Sequence, residues 1–185
     1  DMSDIQRGWD FAANLAGSDN SAQAGRTYVS DVAKAIEEIE DNINNHPYRG
    51  QDIAHFKGYV FEEWHSGTSN VDAVASGSSD RATVLHSNAA GSVDIQLDSG
   101  ESYSAKVFSD GAQSARAQAK VAPESGAAAY SGQNRLIPQD QMNDAKAEAH
   151  RQALRNQPIR SNVAEAYSET ERNLTDRVEN KEGVS

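Results

Sequence analysis

Apolar residues recur every three or four positions through the first half of the chain and every second position near its middle. Trp9, Phe11 and Leu15 suit one short helix, and the Gly/Ser/Asn stretch from Gly17 to Gly25 reads as a loop. Ser30 then offers an N-cap and Asp31 suits a first helical turn. Val32, Ile36, Ile39 and Ile43 repeat at helical spacing until Asn44-Asn45-His46-Pro47 stops the run. A second helix is expected from Gln51 or Asp52 to about Gly67. Ile53, Phe56, Val60 and Trp64 form its stripe and Phe61 widens it. Asn70 is placed to cap one more short turn before Ser76-Gly77-Ser78-Ser79 breaks the chain again.

Beyond that break the period becomes two. Ala82 to His86 reads as a strand. Ser92-Val93-Asp94-Ile95-Gln96-Leu97 and Ser102-Tyr103-Ser104-Ala105-Lys106-Val107 alternate about an Asp98-Ser99-Gly100-Glu101 turn, which predicts a β-hairpin. Val93, Ile95, Leu97, Tyr103, Ala105 and Val107 share its apolar side; Asp94, Gln96, Ser104 and Lys106 share the other. Ser109 or Asp110 opens an alanine-rich helix, and a short strand is expected around Arg135-Leu136-Ile137. Good helix formers fill Asp140 to Asn156 until Pro158 ends the run.

Asn162 to Asn180 predicts a charged helix with a thin stripe of Val163, Tyr167, Leu174 and Val178. A stripe that narrow needs something to dock on, either a partner or another copy of the chain. The resulting division is an N-terminal helix and loop at 1–29, an α/β core at 30–158 and a charged helical tail or linker at 159–185.

Composition narrows the chemistry. The 185 residues include no cysteine, which removes disulfides, thiolate metal sites and cysteine nucleophiles together and fits a cytoplasmic setting. No apolar run approaches the length of a membrane span, so no membrane partner is expected. The formal net charge of -11 argues against indiscriminate nucleic-acid binding. Its distribution is uneven, however: residues 103–160 carry 8 basic against 5 acidic side chains.

His65 follows Glu62 by three residues, a helical spacing that suits shared ligation, and His86 ends a strand. No His-Glu-x-x-His signature accompanies the five histidines, and His46, His55 and His150 read as surface or capping residues. No Gly-x-Ser-x-Gly elbow and no glycine-rich phosphate loop occurs. Trp9 and Trp64 read as core residues. Gly58, inside an otherwise good helix, suggests a close approach of backbone or ligand.

Helix with Gly58-Tyr59-Val60-Phe61-Glu62, strand, strand with Asp94, strand with Ser104-Ala105-Lys106, helix, strand: over residues 51–138 this order resembles the PD-(D/E)xK nuclease superfamily. The resemblance implies an αβββαβ core preceded by helices and followed by a helical extension. It implies that Glu62 and Asp94 hold Mg²⁺ or Mn²⁺ and that Glu62, Asp94 and Lys106 are catalytic. Glu63, Gln96, Glu101 or Ser104 would lend support, and the implied substrate is nucleic acid. Arg116, Lys120 and Arg135, in the net-positive stretch, are the expected phosphate contacts. The chain departs from the family pattern at Ser104, which stands where the motif has an acid. The alternative reading is therefore a catalytically inactive fold of this kind, acting as an interaction scaffold for protein or nucleic acid, with residues 160–185 available for a protein partner or self-association.

Overall fold

A computed structural model describes residues 19–87 and 89–180 of the chain. The expected short helix around Trp9 lies outside them. Their elements are α1 (Asp19–Asn44), α2 (Ile53–Ser76), β1 (Ala82–Val84), β2 (Ile95–Leu97), β3 (Ser102–Ala105), α3 (Gly111–Gln118), β4 (Asn134–Leu136), a 3₁₀ turn (Gln139–Gln141), α4 (Met142–Asn156), α5 (Ser161–Asn173) and β5 (Leu174–Thr175). This is the mixed α/β class expected from the sequence.

One five-stranded sheet in the order β1-β2-β3-β4-β5 organises the fold. The first three strands form an antiparallel meander; β4 and β5 then add in parallel. The predicted hairpin is present, shorter than its alternating pattern. Leu97 N–H donates to Glu101 O at 2.8 Å and Gly100 N–H to Leu97 O at 2.9 Å, with Gly100 at φ 95 closing the turn.

Apolar residues pack on both faces. Ala82, Ile95, Leu97, Tyr103, Ala105, Leu136 and Val178 form the cluster beneath Phe61 of α2; Ala115, Ile137, Ala145, Ala149 and Leu174 form the one beneath α3 and α4. The alanines let α3, α4 and α5 lie close, so small side chains do the work that larger ones do elsewhere. Asp110 caps α3 through Gln113 N–H at 2.8 Å.

Several expected boundaries move. The expected loop before Gly25 and the boundary at residue 29 fall inside the continuous helix α1. α2 runs through Gly67 instead of ending there, and α1 crosses it at that point: a Cβ on Gly67 would stand 2.2 Å from Ile39 Cγ1. Asn70 caps nothing. Its amide donates to Ala82 O at 2.9 Å and accepts from Ala82 N–H at 2.7 Å, satisfying both backbone groups of a sheet-edge residue. Trp64, expected in the core, is 54% exposed. The buried positions along α2 are instead Glu63, Ser66, Ser69 and Ala73, at helical spacing.

The expected tail or linker at 159–185 is also revised through residue 180. α5 leads into β5, Ile137 N–H donates to Thr175 O at 3.0 Å, Val178 enters the main apolar cluster, and Asn180 reaches Ser69 O at 3.1 Å. The stripe that needed a surface to dock on finds part of it within the chain: Leu174 and Val178 bury against the sheet. No helix among the described residues is long and apolar enough to cross a membrane.

Candidate active-site cleft

A cleft of about 760 Å³ opens between the first turns of α2, the 86–92 loop and the 120–130 loop, with Gly58, Tyr59, Glu62, Asp94, Lys106 and Lys120 in its wall. The backbone fixes Asp94 from both sides: its N–H donates to Tyr103 O and its carbonyl accepts from Leu85 N–H, each at 2.9 Å. The neighbouring β3 extends the ladder, Lys106 N–H bonding Leu136 O at 3.0 Å. Two adjacent strand ends thus present Asp94 and Lys106 together.

Lys106 Nζ donates to Asp94 Oδ2 at 2.9 Å and to Ala105 O at 2.8 Å, and lies 5.1 Å from the centre of the Tyr130 ring. Asp94 Oδ2 also accepts from Ala105 N–H at 2.7 Å. Glu62, on the α2 wall, accepts no hydrogen bond among the described residues. Burial, then the nearby Asp94 carboxylate, push its carboxyl up to about 8 against the opposing pull of Lys106. A partly buried acid lacking a donor and facing a second carboxylate is a set of hard oxygens suited to Mg²⁺ or Mn²⁺, so the residues present fit such an ion.

Beyond its own helical turn, Gly58 has no atom of the described residues within 4 Å of the place a Cβ would occupy, and it lines the cleft. None of the described residues makes the backbone approach expected there; the position leaves open volume. Gly91, at φ 79, does meet a close approach: its Cβ would stand 2.5 Å from Ala129 O, where two cleft-wall loops cross. Gln133 Nε2 ties the same crossing by donating to Gly91 O at 3.0 Å.

The remaining expected site residues separate into those near this cleft and those held elsewhere. Ser104 is fully buried on the far side of the sheet from α2; its hydroxyl donates to Gln118 Oε1 at 2.5 Å, so it offers no ligand to the cleft. Gln96 donates to Glu101 O at 2.9 Å and Glu101 accepts from Tyr103 O–H at 3.2 Å, both at the opposite end of the hairpin. Arg116 is engaged with the buried Glu148, 2.7 Å away. Arg135 is buried completely, donating to Tyr130 O and pairing with Glu169 at 3.3 Å, which withdraws it from phosphate binding. Of the three expected phosphate contacts only Lys120 lines the cleft.

Glu63 turns away from Glu62, as the helical step of 100° requires. It is buried beside two histidines, its Oε1 at 3.5 Å from His86 Nε2 and 3.9 Å from His46 Nε2. His46, expected on the surface, is 5% exposed and stacks on Tyr59 with ring centres 4.9 Å apart. His65 packs edge-on against Phe61 at 4.4 Å instead of joining Glu62. Tyr130 and the His46 cluster went unread in the sequence because each is assembled by tertiary contacts; only the strand-end position of His86 gave a signal. Comparison of the chain with protein-family models, with curated proteins and with solved structures finds no match.

Proposed function

We propose that this chain is a metal-dependent nuclease-like enzyme that hydrolyses nucleic-acid phosphodiesters in the 760 Å³ cleft. The single observation that carries the reading is the meeting of Glu62, Asp94 and Lys106, drawn from a helix and two strands, in one cleft, with Lys106 on Asp94 at 2.9 Å. The helix-strand-strand-strand-helix-strand order of residues 53–136 supports it as well.

Glu62 and Asp94 are the residues to hold a divalent cation, Mg²⁺ or Mn²⁺. When bound, such a cation neutralises phosphate charge and lowers the pKa of water. Lys106 supplies a fixed positive charge beside Asp94, placed to orient a water and to stabilise the negative charge that accumulates on the phosphoryl oxygens. Lys120 adds a second positive charge on the cleft wall for the flanking phosphate. Gly58 leaves room for the backbone of a substrate strand. Two carboxylates and a lysine make up this set, with no acid at Ser104.

The decisive experiment measures cleavage of plasmid and single-stranded substrates with Mg²⁺ or Mn²⁺, for the parent chain and for Asp94→Asn and Lys106→Ala. Metal-dependent cleavage lost in both variants supports the proposal. A folded parent chain that cleaves nothing, and whose melting temperature ignores Mg²⁺, overturns it in favour of an inactive scaffold.

A further inference from the structure

Behind the cleft wall, three potential ligands converge from three separate segments: His46 in the turn after α1, Glu63 in α2 and His86 just past β1. One ligand atom from each lies within 4.8 Å of the other two. Glu63 is 5% exposed and accepts a hydrogen bond from the Asn42 side chain, yet no lysine or arginine pairs with it; among the described residues its ion-pair partners are the two imidazoles alone. One amide hydrogen bond does not replace the cation that a buried carboxylate normally has beside it. His46 Nε2 is buried with no hydrogen-bond partner at all. His86 adopts a left-handed backbone at φ 49, the one non-glycine among the described residues to do so, and such conformations concentrate at functional sites.

We propose that His46, Glu63 and His86 form a binding site for one zinc-class transition-metal ion, separate from the Glu62/Asp94 carboxylate pair. Two imidazoles and one carboxylate suit Zn²⁺ or Co²⁺; Mg²⁺ and Ca²⁺ prefer oxygen alone. Bonds of about 2.0–2.1 Å in a tetrahedron set ligand atoms roughly 3.4 Å apart; the two separations to Glu63 are 3.5 and 3.9 Å, and no pair of the three ligand atoms starts beyond 4.8 Å. Stacking on Tyr59 at 4.9 Å and edge contact with His86 at 5.2 Å already hold the His46 ring. Three protein ligands leave a fourth position for water. His86 lines both the main cleft and a smaller cavity of about 280 Å³ on its other side, which gives the ion an entry path.

Ligation carries its own reporter. Tyr48 N–H donates to His46 Nδ1 at 3.2 Å, so the metal-free ring keeps its proton on Nε2. Binding through Nε2 moves that proton to Nδ1 and releases the Tyr48 amide, a long hydrogen bond exchanged for a metal bond. Neither the carboxylate pair nor the proposed hydrolysis is needed for any of this, and the two readings stand or fall separately.

The test uses the full chain without an affinity tag, stripped by chelator and titrated with Zn²⁺, Co²⁺ and, as a control, Mg²⁺. Expected are one-to-one binding of Zn²⁺ and Co²⁺ by calorimetry, a visible Co²⁺ spectrum of tetrahedral intensity, a raised melting temperature and a shifted Tyr48 amide resonance. His86→Ala, at a partly exposed position, should weaken Zn²⁺ binding by more than the about 10- to 100-fold typical of a lost outer-shell contact. Glu63→Gln should weaken it as well, while Glu62→Gln leaves it unchanged. Binding that survives His86→Ala and disappears with His55→Ala or His150→Ala would overturn the assignment. So would the absence of saturable Zn²⁺ binding in the folded parent chain.

Discussion

Lys106 Nζ sits 2.9 Å from Asp94 Oδ2, and the same oxygen receives the Ala105 amide at 2.7 Å, so a single carboxylate oxygen organises the ends of two strands. Removing it leaves the Ala105 amide without its acceptor and Lys106 Nζ with Ala105 O alone. Asp94→Ala is expected to lower unfolding free energy by about 2 kcal/mol and to abolish Mg²⁺-dependent cleavage. Lys106→Met removes the cation but keeps its stem; it should abolish cleavage with a smaller loss of stability. Denaturant unfolding and cleavage assays on the same preparations check both.

Glu62 predicts how stability depends on pH. Its carboxyl is pushed up from 4.5 to about 8, by burial first and Asp94 second. Between those two values the folded chain holds a proton that the unfolded chain has released, so this group's contribution falls as pH rises and is lost above about 8. Glu62→Gln should therefore leave stability at pH 4 nearly unchanged and raise it at pH 9 by about 2 to 4 kcal/mol. Mg²⁺ bound by the parent chain should shrink that difference, because a cation favours the ionised carboxyl. Melting temperatures across pH, with and without Mg²⁺, measure each part.

Lys120 and Arg135 separate binding from folding. Lys120 is exposed in the cleft wall, whereas Arg135 is buried against Tyr130 and Glu169. Lys120→Ala should leave the melting temperature alone and reduce the salt slope of oligonucleotide binding by about one phosphate contact. Arg135→Ala should destabilise the chain by about 3–5 kcal/mol, since it leaves Glu169 without its cation.

At the helix crossing, Gly67 faces Ile39 with room for no Cβ: the side-chain atom Cγ1 would lie 2.2 Å away. Gly67→Ala is expected to cost about 1–3 kcal/mol. Trimming the opposing side chain in Gly67→Ala/Ile39→Val should recover part of the loss. A double-mutant cycle by chemical denaturation reads that coupling.

The hairpin was legible because strict alternation about Asp-Ser-Gly-Glu leaves few other arrangements, and it carried Asp94 and Lys106 to one place. Glu62, read in the sequence as lying beside the apolar stripe of its helix, lines the same cleft. The neighbours that decide chemistry were less legible. His46 follows a helix stop and precedes a proline, a context common to exposed turns, and the packing of Tyr48, Phe56, Tyr59 and His86 buries it. Asn70 and Ser66 sit on a polar helix face that looks solvated until their hydrogen bonds to Ala82 O are seen. Arg135 reads as a surface cation in a basic stretch because its partner Glu169 lies 34 positions away in sequence. Ser104 stands where the family pattern has an acid, and the structure gives it a different task, bonding Gln118 under α3.

The pairing of β5 with β4 bears on how the molecule is made. Leu174 covers Ile137, Glu169 meets Arg135, and Glu169 Oε1 also accepts Gly132 N–H at 2.8 Å, so the 130–137 segment lacks its complement until residues 169–178 have been synthesised. On the ribosome, the parallel edge of β4 and a buried guanidinium wait together for the closing piece, and the sheet becomes cooperative late. A chain cut before Ser161 is accordingly a folding intermediate with an open edge, prone to associate with its own kind.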